Sequence, residues 1–264
     1  MKKEKIIWMV AIVLVLAAIA GLTYGYIRKW TEEIKNPVVT MEVADYGTIK
    51  IELYPDMAPN TVKHFVKKIQ EGFYDGLTFH RTIPEFMIQG GDKEGTGKGD
   101  TDYTLPGEFI ANGYKQNTLK HERGVISMAR ADYSSLGSGL TTYSYNSAGT
   151  QFFIMTQDTS SLDGYYTAFG RVIEGMDVVD AISNTNVVYR SSELGENDEV
   201  PTDEEGNQIA SDRPVNPPVI TKMTIETFGV DYGDYETTIP FDYNAWLYQH
   251  YGINIDQLNG SSQD

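Results

Sequence analysis

From Ile6 to Ile27 the chain carries no charged side chain over 22 positions. A helix rises about 1.5 Å per residue, so a run of this length spans the roughly 30 Å hydrocarbon layer of a bilayer. Lys2, Lys3 and Lys5 precede it, and Arg28 and Lys29 follow. Trp8, Tyr24, Tyr26 and Trp30 sit near its ends, where amphipathic rings favour the membrane interface. The run predicts an uncleaved transmembrane signal anchor over 6–27, after a short basic N-terminus at 1–5 and before a linker at 28–37. The alternative is a cleaved signal peptide with Ala18-Ile19-Ala20 as its small-residue site. The apolar run continues past that point, which favours the anchor. Basic residues are balanced across the two flanks, so orientation is weakly set. A cytoplasmic N-terminus is favoured, with the bulk of the chain extracytoplasmic at a cell membrane, or secreted after cleavage.

The rest of the chain is acidic. Lys plus Arg is 21 and Asp plus Glu is 37, a net charge of −16 over 264 residues. That balance argues against nucleic-acid binding, which needs clustered Lys and Arg to neutralise phosphates. Cysteine is absent, which excludes disulfide frameworks, cysteine zinc sites and thiol nucleophiles. Val39–Val43 and Thr48–Tyr54 alternate apolar and polar residues about the turn Asp45-Tyr46-Gly47, a hairpin signal. Ala58-Pro59-Asn60 opens a helix whose Val62, Phe65, Val66 and Ile69 share one face, with Gly72 as its stop. Strand-like runs follow near 77–81, 86–89, 124–129, 151–156, 168–172 and 219–228, and a second helix is predicted from Met176 to Ser183. Many short strands with two helices predict a mainly β barrel or sandwich rather than a parallel α/β sheet. Residues 132–149, rich in Ser, Tyr and Gly, and residues 187–218, with eight acidic residues and two basic ones, read as exposed insertions. The tail 230–264 is acidic but aromatic in its middle. A helix is predicted there from Asp242 to Tyr251, capped by Asp242 and stopped by Gly252. The tail either packs on its own domain or binds a partner.

The chemistry concentrates between Phe79 and Asp92. Arg81, Phe86, Met87 and Gln89 share a concave surface if the chain bends at Pro84, forming an apolar pocket with one fixed charge and one amide. There is no nucleophile–base pair. His64, His80, His121 and His250 are scattered without metal-ligand spacing, so no metal is expected. Residues 187–218 lack the spacing of a calcium loop.

The run Phe-His-Arg-Thr-Ile-Pro-Glu-Phe-Met-Ile-Gln-Gly-Gly-Asp at 79–92 resembles the signature of the cyclophilin-type peptidyl-prolyl cis-trans isomerases. The likeness continues in order through Gly95-Thr96-Gly97, Leu105–Phe109, His121, Gly124–Ala129, Gln151–Ile154, Leu162-Asp163-Gly164 and Phe169-Gly170. It covers roughly residues 38–229, and motifs this long in this order are highly specific. The resemblance implies a closed eight-stranded antiparallel barrel capped by two helices. It implies Arg81 as the catalytic residue, and Phe86, Met87, Phe153 and Leu162 as the wall of a proline pocket. Gln89 and Gln151 would hold the substrate backbone. Ala129, Ala131, Tyr166 and Phe169 would line the groove, with the backbone at Arg130 pairing with the peptide. The implied partners are proline-containing segments of unfolded or exported proteins, and no cofactor is implied. The apolar first segment adds a bacterial envelope setting.

Three departures bear on specificity. Ser161 stands where the family often has Trp, which implies weak cyclosporin binding. Tyr166 stands where the family often has His, and Arg130 where many members have Asn. The alternative to an enzyme is a non-catalytic proline-peptide-binding or chaperone module at the cell envelope. The intact site residues favour the enzyme.

Overall fold

Alternation writes the first two strands. Val38–Val43 (β1) buries Val39, Met41 and Val43, and Gly47–Leu53 (β2) buries Ile49, Ile51 and Leu53. The turn between them places Asp45 and Gly47 at φ 65° and 126°. The structure, a computed structural model, describes residues 3–31, 35–99, 101–137, 139–190, 193–194, 198–203, 206 and 208–252, with side chains of the first helix given at 3 and 7–23. Thr78–Ile83 (β3), Met87–Asp92 (β4), Val125–Met128 (β5), Phe152–Met155 (β6), Ala168–Glu174 (β7) and Ile220–Glu226 (β8) complete one antiparallel sheet, ordered β3-β4-β6-β5-β7-β2-β1-β8. The sheet curls until its edges meet along a short seam. Thr78 bridges Val219, Ile220 N–H donates to the Leu77 carbonyl at 2.8 Å, and Phe79 N–H donates to the Pro218 carbonyl at 2.9 Å.

The chain forms two units, residues 1–35 and 36–264. The first contains one helix, Lys3–Thr31 (α1), with Ile7, Trp8, Val13, Leu16 and Leu22 exposed. Among the described residues no helix is long and apolar enough to cross a membrane. The helix α1 covers the uncharged run at 6–27, and its described part gives the predicted span no support.

In the second unit the helix Pro59–Gln70 (α2) lies against β8, and the helix Met176–Ser183 (α4) lies against β2, β3 and β4. The rings of Phe65, Tyr74, Phe79, Phe152 and Phe169 meet inside the curl, with centroids 5.0–6.2 Å apart and mostly edge to face. A second apolar cluster covers the outer face of β4, β5, β6 and β7 and includes Met87, Val125, Phe153, Met155 and Ala168. β5 and β6 are consequently buried on both faces. The insertions are not merely exposed loops. Residues 132–149 contain a short helix, Thr141–Tyr145 (α3), and bury Leu140, Ser144 and Ala148. Residues 187–218 bury Asp212. The tail helix Tyr243–Tyr251 (α5) is capped by Asp242, whose Oδ1 accepts from Ala245 N–H at 2.9 Å, and Gly252 stops it at φ 65°. The tail residues predicted at 253–264 lie outside the described ones.

Candidate active site

Strand register lines up one row of side chains on the outer face of the sheet. Arg81 on β3 pairs with Gln89 on β4, Gln89 with Phe153 on β6, and Phe153 with Ser127 on β5. Directly opposed residues place their side chains within contact range. The β3–β4 hairpin turns at Pro84-Glu85, with Glu85 at φ 55° and Phe86 N–H donating to the Ile83 carbonyl at 3.2 Å. The bend at Pro84 thus exists. It sets Phe86 and Met87 beside Arg81 and Gln89 around a cavity of about 130 Å³, completed by Ala129, Arg130, Phe153, Leu162 and Tyr166.

Polar contacts fix the rim. Gln89 Nε2 donates to Gln151 Oε1 at 2.9 Å, and Gln151 Nε2 reaches the carbonyls of Gly97 and Gly99 at 3.3 and 3.4 Å. The loop carrying those carbonyls is folded around Asp92, whose carboxylate accepts from the N–H groups of Glu94, Thr96 and Gly97. Burial opposes ionisation of Asp92, but these backbone donors hold its carboxyl below the usual range. Gly91 precedes it at φ 85°, where a Cβ would meet the Thr150 carbonyl at 2.5 Å; only glycine lets β4 approach there.

Under Phe153, His121 stacks at 6.1 Å. Its ring lies 3.2 Å from Ser127 Oγ and 3.3 Å from Asp163 Oδ1. Burial pushes the His121 pKa down, against the pull of Asp163, so the ring is a neutral prop for the pocket floor.

Two guanidiniums face the cavity in different ways. Arg130 is pinned. Its plane lies 4.4 Å from the Tyr166 ring and 5.3 Å from the Tyr145 ring, and its Nε donates to the Tyr165 carbonyl at 3.0 Å. Among the described residues no hydrogen bond is made by the Arg130 backbone N–H or carbonyl. Arg81 stands at the rim, its side chain 40 % exposed, with Nε 3.9 Å from Oδ2 of Asp212, whose side chain is 8 % exposed. Asp212 Oδ1 also holds Arg190 Nη1 at 3.3 Å.

Ala131 and Gln151 line the adjoining groove rather than this cavity. Phe169 is a correction: it is fully buried inside the barrel against Phe65, because its neighbour Ala168 takes the outer face of β7. The reading of Arg130 as a backbone contact alone is also incomplete, since its side chain forms a pocket wall. Ser161 is exposed on the single turn Ser160–Leu162 at the pocket edge. Asp212 had no signal in spacing or composition, whereas the tail residues beside the groove belong to the aromatic stretch marked in the sequence, which does not indicate their position against the groove.

The family model for cyclophilin type peptidyl-prolyl cis-trans isomerase/CLD matches residues 38–225. Peptidyl-prolyl cis-trans isomerase B of Bacillus subtilis is 41% identical over 144 residues, covering 54% of this chain and 89% of that protein. A peptidyl-prolyl cis-trans isomerase of Synechococcus elongatus is 42% identical over 140 residues, 52% of this chain and 83% of the relative. A Cryptosporidium parvum cyclophilin type peptidyl-prolyl cis-trans isomerase, crystallised in the presence of the dipeptide Ala-Pro, superposes with a TM-score of 0.52 at 29% identity, over 72% of this chain and 98% of that one. The family model spans well over half of the chain, and the chain belongs to the cyclophilin-type peptidyl-prolyl cis-trans isomerases.

Proposed function

We propose that the chain accelerates rotation about X–Pro bonds in exported proteins, with Arg81 stabilising the twisted amide while the apolar pocket grips the proline ring. The observation that carries this reading is the position of Arg81, directly opposite Gln89 and at the open rim of a cavity walled by Phe86, Met87, Phe153 and Leu162. Rotation costs about 18–20 kcal/mol because amide resonance is lost in the twisted state. There the prolyl nitrogen regains a lone pair. A guanidinium donating to that nitrogen binds the twisted state better than either planar isomer, which is the condition for catalysis. Arg suits the role because it stays protonated and presents a rigid fork. Gln89 and Gln151, already bonded to each other, hold the substrate backbone, and the backbone of Arg130, without a partner among the described residues, offers it a further donor and acceptor. The presence of Ala-Pro with the Cryptosporidium relative supports proline peptides as the substrate class.

The test is exchange of a short X–Pro peptide by the full chain and by Arg81→Ala. Turnover is expected to fall by on the order of 10²–10³-fold with the melting profile unchanged. A folded wild type without turnover moves the reading to a proline-binding module, and an active Arg81→Ala removes Arg81 from its role.

Membrane tethering through 6–27 belongs to the same proposal and rests on the uncharged run and its basic flanks. The intact mass of the membrane-associated chain is expected to include residues 1–27. A mature chain beginning just after Ala20 would refute the anchor.

A further inference from the structure

The proline pocket opens into a longer groove that shares Gln89, Ala129 and Arg130 with it. The far wall of this groove comes from outside the residues matched by the family model: Pro240, Phe241 and Tyr243 of the tail, with Tyr133 of the 132–149 insertion beside them.

The tail is built into place. Thr104 and Thr238 exchange both backbone hydrogen bonds, at 2.9 and 2.7 Å. Asn60 clasps the Glu236 backbone from both sides, at 2.6 and 3.0 Å. Further along, Phe241 lies 4.7 Å from both Tyr133 and Tyr143, and Trp246 of α5 is buried, its ring 3.3 Å from where a Cβ on Gly137 would sit. The insertion and the tail, the latter outside the residues matched by the family model, thus pack on each other beside the groove. Among the described residues, none from the tail lines the proline pocket itself. The tail is therefore a wall and leaves the reacting centre open.

We infer that Pro240, Phe241, Tyr243 and Tyr133 form a specificity subsite for an aromatic or large apolar side chain flanking the isomerised proline. Continuity with the proline pocket makes the occupant the same peptide. The aromatic faces set its chemistry, because an entering ring can stack edge to face on Phe241 and Tyr243. A peptide with glycine at that position gains nothing from this wall.

The inference rests on the proposed isomerase reading. Its test uses the full chain, Phe241→Ala and Tyr243→Ala, and a panel of eight-residue peptides with one central proline and a single Phe or Gly at each flanking position in turn. In the wild type, Phe is expected to raise kcat/KM over Gly by about fivefold or more at one flanking position. In Phe241→Ala that ratio is expected to fall to about one. A wild type with no Phe preference overturns the inference, and so does a preference that survives Phe241→Ala. Should Phe241→Ala lose its fold, Tyr243→Ala, altering a side chain already partly exposed, reads the same ratio. Absence of turnover on every peptide removes the isomerase reading instead. The subsite is then judged by affinity for the same peptides: a Phe preference lost in the variants upholds it, and equal affinities overturn it.

Discussion

A guanidinium helps a twisted amide only when it points at the prolyl nitrogen, and an exposed arginine on a strand has many other rotamers. At Arg81 the constraint is Asp212. Its buried carboxylate lies 3.9 Å from Arg81 Nε and holds Arg190 Nη1, which also donates to the Thr82 carbonyl at 3.2 Å. Thr82 N–H in turn donates to the Asp212 carbonyl at 2.9 Å. Asp212 therefore grips β3 by backbone beside the residue it orients by charge. Its φ of 60° lies in the left-handed region, which Asn tolerates as well as Asp. Asp212→Asn keeps shape and backbone while removing the charge. Its expected effect is a fall in kcat on the order of tenfold with KM within about twofold. A merely structural role would lower the melting temperature and leave kcat intact, and that result would sink the assignment. Arg81 and its aromatic neighbours were legible because they crowd into one hairpin. Asp212 was not, since it returns from a distant acidic segment in which nothing distinguishes it from the neighbouring carboxylates.

At the scale of elements, α2 shows how a helix can be legible while its support is not. The spacing of Val62, Phe65, Val66 and Ile69 marks the buried face, and Pro59 marks the start. Ala58, however, supplies no side-chain cap. Glu108 caps the helix instead from a distant loop. Its Oε1 accepts from Asn60 N–H at 2.9 Å, and its Oε2 accepts from Thr61 N–H at 2.8 Å and Thr61 Oγ1 at 2.7 Å. Burial pushes the Glu108 carboxyl up, while these donors and the helix N-terminus favour its ionised form. Glu108→Ala leaves buried donors unmatched and is expected to cost about 2–3 kcal/mol, read as a lower urea midpoint. An unmoved midpoint would show that the cap contributes little. The strands tell a similar story. β1 and β2 alternate and could be assigned to faces from sequence. β5 and β6 are buried on both sides, so period two is invisible there. The same double coverage hid the inward turn of Phe169. The aromatic middle of the tail was legible, but its packing on the insertion was not, because their contacts span about a hundred residues of intervening chain.

At the scale of the whole molecule, buried histidines set how the fold answers to acid. Burial, with Lys68 nearby, pushes the His64 pKa down to about 3. Burial pushes His80 down to about 4, with Arg213 and Arg81 adding to it and Asp92 opposing. Among the described residues, neither nitrogen of His80 and only Nε2 of His64 has a hydrogen-bond partner. In the unfolded chain both rings bind protons near pH 6.5. Below that value the unfolded state takes up protons that the native state refuses, so stability falls as pH falls. The loss begins near pH 6.5 and runs on to about 4 for His80 and about 3 for His64. Each ring contributes a slope of about 1.4 kcal/mol per pH unit, on the order of 4 kcal/mol for the pair between pH 6.5 and 5. The carboxylates held below their usual range, Asp75, Asp92 and Asp163 among them, also lose stabilisation in acid, but only as pH drops through their unfolded values near 4. The decline from pH 6.5 to 5 is therefore carried by the histidines, with Glu108, pushed up by burial, opposing it. Urea unfolding of the full chain is expected to give a constant free energy above pH 7 and a steep decline between 6.5 and 5. His80→Phe is expected to reduce that slope by about one proton, whatever it does to absolute stability. A profile flat down to pH 5 would mean that these rings are protonated in the native barrel, and the neutral core around His64 and His80 would have to be redrawn.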